Sequence, residues 1–162
     1  MDGFWSFTMP NGKLESGLFT RRVEALRRGE DPGFLARMSG GWAVLGDRQP
    51  SPISGCCMLI PDPVVPSVND LGAEERAMFM GDLVRLGDAV LAATGAERVN
   101  YLILCNQVPE LHGHVIPRFI SEDPESRRQG PFEAYDFSQA MHVEPGGAHA
   151  DLSRALREAL SG

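Results

Sequence analysis

The chain has 162 residues, 43% apolar and 23% charged, with a net charge of −7 and a pI near 5.0. One domain of that size buries about 70% of its unfolded surface and needs no covalent staple. The acidic balance argues against a general nucleic-acid binder, and no apolar run approaches the ~20 residues of a membrane span. Three cysteines, two of them adjacent (Cys56 and Cys57), make no disulfide framework. Nothing near Met1–Pro10 reads as a secretory leader. The expectation is a reduced, cytoplasmic, single-domain protein spanning 1–162, with a core at about 33–132 and an extension at each end.

In chain order, the first 18 residues mix Gly, Pro and Asn with Phe4, Trp5 and Phe7, an aromatic segment suited to packing on a surface or a second subunit. Phe19, Val23 and Leu26 stand at helical spacing before Gly29 and Pro32. Trp42–Leu45 reads as a short strand between glycines, 47–55 as a Pro-rich loop, and Cys56–Ile60 as a strand buried on both faces. The clearest helix is Ala73–Thr94, where Phe79, Leu83, Leu86 and Val90 form an apolar stripe. Asp70 is its expected cap and Gly95 its left-handed stop. Val99–Cys105 and Leu111–Ile116 read as strands joined by a turn too short for a parallel crossover. Ser121–Pro131 reads as polar loop, and Ala150–Leu160 as an amphipathic helix. The pattern predicts an α+β fold: an antiparallel sheet backed by one long helix.

Two of the four histidines form His112-Gly113-His114. In a strand, alternation puts both imidazoles on one face, with Leu111 and Val115 turned toward a core. Gly113 leaves room for close approach of other backbone behind the strand. Three readings are open. The pair can be surface residues on an edge. It can supply two ligands to a metal, but Glu110 and His114 stand about 13 Å apart along an extended strand, and nothing nominates a third ligand. Or a neutral imidazole can act as a nucleophile toward phosphorus, with its other nitrogen held by an acceptor such as a backbone carbonyl. The cysteines read as small apolar fillers, and His142 and His149 as surface residues near the terminal helix.

Glu110-Leu111-His112-Gly113-His114-Val115-Ile116-Pro117-Arg118 resembles the motif of the histidine triad family, His-x-His-x-His followed by two apolar residues. The resemblance places the nucleophilic middle histidine at His112 and the third at His114. Glu110 stands where the family's first histidine does, a departure at a position that orders the site. Asn100–Asn106 is similar to the family's penultimate strand, and Trp42–Asp47 with the apolar strand after it to its nucleoside-binding half. The resemblance implies a homodimer and a nucleotide substrate. His112 attacks the α-phosphate of a nucleoside phosphoramidate or dinucleoside polyphosphate and forms a nucleotidyl-histidine. His114 and Glu110 complete the reacting group. Asp47 takes the ribose, and Asn106, Gln107 and Arg118 lie near the phosphates. No metal or other cofactor is required, although Mg²⁺ can accompany a polyphosphate. Two alternatives stand beside this: a nucleotide-binding protein with little or no turnover, because Glu110 replaces a histidine and its carboxylate beside the phosphate would also repel it, and a metal-dependent enzyme using the HxH pair.

Overall fold

The computed structural model describes residues 17–162, so the expected packing of Phe4, Trp5 and Phe7 lies outside the described residues. In chain order the elements are α1 (Leu18–Arg27), β1 (Phe34–Met38), β2 (Gly41–Leu45), β3 (Arg48–Gln49), β4 (Cys57–Ile60), α2 (Ala73–Thr94), β5 (Arg98–Leu102), β6 (Gly113–Arg118), α3 (Pro124–Arg128), α4 (Pro131–Ala134), β7 (Met141–His142) and α5 (Ala150–Leu160). Five strands form one sheet in the order β1-β2-β4-β6-β5, and every pairing in it is antiparallel. A separate two-stranded ribbon joins β3 to β7. The expected α+β architecture is present.

Alternation along the inner strands explains why β4 is apolar throughout. Ala43, Leu45, Cys57, Leu59 and Val115 share one cluster with Phe79, Leu83, Leu86 and Val90 of α2 and Leu156 of α5. Val44, Met58 and Ile60 turn the other way and pack with Leu18, Phe19, Val23 and Leu26 of α1. The central strands are thus covered on both faces, and each of the two faces needs its own set of side chains.

The long helix runs over Ala73–Thr94 as its stripe predicts and stops at Gly95, whose φ of 70° is left-handed. Its cap is not Asp70. Gly72 occupies that position, and the Asp70 carboxylate instead accepts the Ser67 hydroxyl at 2.8 Å. The penultimate strand ends at Leu102, earlier than its apolar sequence suggests, and Cys105 beyond it has a φ of 52°. The motif strand begins at Gly113 and continues through Pro117 to Arg118. Pairing with β4 ends at Val115, so Pro117 lies past the doubly flanked part of the strand and its missing N–H is tolerated. Strand β1 was not expected from the sequence, because Ala36 and Arg37 interrupt its apolar alternation. Within the expected polar loop 121–131, the Asp123 carboxylate accepts the Glu125 and Ser126 N–H groups and nucleates α3.

Candidate active site

Strand β6 and the residue before it carry the histidines. His112 immediately precedes β6 and His114 is its second residue; both line a cavity of about 810 Å³. Their rings meet edge to face with centroids 4.9 Å apart. Leu111 and Val115 point into the α2 core, as expected. Space behind Gly113 is filled by a side chain, not by backbone: a Cβ there would stand 2.7 Å from a methyl of Leu83 on α2.

His112 Nδ1 lies 2.7 Å from the Glu110 carbonyl oxygen. A carbonyl only accepts, so Nδ1 carries the proton and Nε2 keeps its lone pair. One face of the ring stacks on Phe19 of α1, with centroids 4.2 Å apart and planes 23° apart. Burial disfavours the imidazolium and lowers the His112 pKa below 6.5, against the opposing pull of the Glu110 carbonyl and carboxylate. Burial, with His112 alongside, lowers His114 further, to about 3. Both rings are therefore neutral near pH 7.

Asp47 also lines the cavity, as do Asn106 and Gln107 at its exposed rim. The Asp47 carboxylate is buried and ion-paired at 3.1 Å with Arg22, which reaches Asp31 at 2.8 Å on its other side. Burial raises the Asp47 pKa, and Arg22 pulls against that rise. Arg22 is 1% exposed, and its role was not read from the sequence, since nothing in a helical stripe marks one arginine as inward-facing.

Two expected site residues lie outside the cavity lining. Arg118 does not line the His112 cavity. All five of its N–H groups are committed, to Glu122, to Asn100 Oδ1, and to the carbonyls of Ser126 and Gln129, at 2.7–3.3 Å. It holds the 122–129 segment against the sheet and has no donor left for a phosphate. Glu110 is 8% exposed and also absent from the cavity lining. Its carboxylate accepts the Gly17 N–H, the Thr20 N–H at 2.7 Å and the Thr20 hydroxyl at 2.9 Å. Its carboxylate is thus taken up by the start of α1 and lies outside the cavity lining.

Other lining residues come from the end of the expected core and from beyond it. Phe132 packs edge-on against His114 at 5.3 Å and against Phe137 at 4.7 Å. Strand β7 brings His142 opposite Arg48, so this histidine, exposed as expected, also borders the cavity. His149 is buried, not exposed, and its Nδ1 accepts the Glu144 N–H at 3.0 Å. The pairing of β3 with β7 carries this wall, and two-residue strands leave no periodic trace in a sequence. Cys56 and Cys57 are buried and reduced, and burial raises the Cys56 thiol to about 12. Among the described residues, no three His, Cys, Asp or Glu side chains converge in a way that holds a metal ion. No described helix is long and apolar enough to cross a membrane.

No family model matches the chain, and no curated relative matches it. Solved structures do. A histidine triad protein from Sinorhizobium meliloti is 25% identical, with a TM-score of 0.63 over 84% of this chain and 93% of that one. A histidine triad protein from Bradyrhizobium japonicum is 21% identical, with a TM-score of 0.63 over 83% and 94%. A hypothetical histidine triad nucleotide-binding protein from Sulfolobus tokodaii is 15% identical, again at 0.63, over 85% and 89%.

Proposed function

We propose that this chain, a histidine triad protein by fold and by motif, acts on the α-phosphate of a nucleotide through His112. One observation carries the reading: His112 borders the cavity as a neutral ring whose Nδ1 proton is held by the Glu110 carbonyl, leaving Nε2 as the nucleophilic nitrogen. The S. tokodaii protein, described as nucleotide-binding, supports the substrate class.

In the proposed reaction Nε2 forms a bond to phosphorus as the bond to the leaving group breaks. The leaving amine or phosphate departs with the electron pair and takes a proton from solvent. Water then attacks the nucleotidyl-histidine and gives a proton back to solvent, the Nε2–P bond breaks with its electron pair going to Nε2, and the neutral ring returns. His114, depressed to about 3, stays uncharged and serves as a polar wall for the phosphate. Asn106 orients the phosphate at the rim, and Asp47, steadied by Arg22, accepts from the ribose hydroxyls. Glu110 and Arg118 receive no contact with substrate in this reading. The enzyme works as a homodimer in the cytoplasm and needs no metal for the transfer itself.

The test is turnover of adenosine 5′-phosphoramidate and of diadenosine tetraphosphate by the wild type and by His112→Ala. The expected loss in kcat is on the order of 10³-fold or more, the scale seen when a nucleophile is removed. Equal rates reject the role of His112. Nucleotide binding with no product from the wild type instead identifies a binding protein without turnover.

A further inference from the structure

Helix α1 lies ahead of the region that resembles the motif family, yet three contacts tie it to the cavity. Phe19 stacks on the His112 ring at 4.2 Å. Arg22 pairs with Asp47 at 3.1 Å. Glu110 joins the helix to the nucleophile directly: its carboxylate receives the Gly17 and Thr20 N–H groups and the Thr20 hydroxyl, while its own carbonyl receives the His112 Nδ1 proton.

An imidazole ring is fixed by two constraints. An acceptor on Nδ1 sets the tautomer and the direction of Nε2, and a surface against one face sets the tilt. Here the carbonyl of Glu110 supplies the first and Phe19 supplies the second. Phe19 belongs to the α1 cluster with Val44, Met58 and Val108, so its position follows the position of the helix. The free N–H groups at the start of α1 are what the Glu110 carboxylate grips. A carboxylate has about four lone-pair sites for three donors, whereas a neutral imidazole has one acceptor nitrogen. A helix N-terminus also favours an anion. The glutamate at the first motif position thus makes a set of contacts that a histidine there could not make.

We propose that Glu110 is a positioning residue that clamps the start of helix α1 so that Phe19 backs the His112 ring while the Glu110 carbonyl sets its tautomer. The inference rests on His112 being the reactive group. Its consequence for the ring does not depend on turnover.

Two readouts test it on the full chain. The ¹⁵N shifts of the His112 imidazole report which nitrogen carries the proton, with or without activity. Steady-state hydrolysis of adenosine 5′-phosphoramidate separates kcat from KM. Glu110→Gln keeps the shape of the side chain but brings an NH₂ group against backbone donors. We expect it to mix the two His112 tautomers and to lower kcat about tenfold or more, with KM changed less than about threefold, because a small misplacement of a reacting group is costly. Phe19→Leu keeps apolar packing and loses the ring face; it should lower kcat in the same sense. Thr20→Val removes one of the three donors without altering shape, and should give a smaller shift in the same direction even if Glu110→Gln fails to fold. Folded variants with the wild-type tautomer and wild-type kcat overturn the clamp and leave Glu110 a residue of stability alone. If the wild type turns over no nucleotide, the proposed reaction fails, and the ¹⁵N shifts still decide the clamp.

Discussion

His112 and Arg118 are six residues apart on one segment, and their surroundings assign them opposite tasks. The imidazole has a free nitrogen beside a cavity; the guanidinium has none. Because burial lowers the His112 pKa below 6.5, the neutral nucleophile persists as pH falls past the value of a free histidine. The acid limb of the kcat profile should therefore be centred below 6.5. An acid limb centred at or above 6.5 contradicts that assignment. For Arg118, substitution by Met leaves Glu122 buried without its main partner, and should cost about 3–5 kcal/mol in urea denaturation. Its KM for nucleotide should stay at the wild-type value. A selective rise in KM with stability intact would return Arg118 to the phosphate.

At the scale of elements, the motif strand and the long helix depend on one small residue between the two histidines. A Cβ at Gly113 would meet the end of the Leu83 side chain at 2.7 Å, and Leu83, itself buried, must shift within the core to relieve it. Gly113→Ala should destabilise the fold by about 1–3 kcal/mol, and Leu83→Val in the same chain should recover part of the loss. Additive losses in the double variant would show that Leu83 is not what limits this position. The same two elements show which features a sequence displays. Ala73–Thr94 was legible because its stripe extends over many turns and ends on a left-handed glycine. Its cap was not, because Asp70 is bound to Ser67 through local geometry that residue type does not reveal. The histidine pair was legible because alternation alone puts both rings on one side. The duties of Glu110 and Arg118 were not, because both are set by partners distant in sequence or folded back from the next loop. For the same reason α1 was predicted as a helix but not as the support behind His112 and Asp47.

At the scale of the whole molecule, the neutral histidines, His112 buried and His114 partly so, link folding to pH. The folded pKa of His114 is about 3 and that of His112 is also lowered, whereas the unfolded chain titrates near 6.5. Between those values the unfolded chain binds more protons. The stability these groups contribute is complete above pH 6.5 and is lost as pH falls from there toward the folded values. Urea midpoints should fall between pH 7 and pH 5, and His114→Phe should flatten that fall; a slope unchanged in the variant would assign the acid sensitivity to other groups. Both of these effects and the proposed chemistry require the two rings to stand together at the edge of one cavity, backed by α1 and the sheet. The most direct test is a crystal structure of the protein soaked with adenosine monophosphate. The phosphorus should lie within about 3.5 Å of His112 Nε2, a near-attack separation, with the ribose toward Asp47. A nucleotide bound away from the histidines, or an ion clasped between their rings, contradicts it.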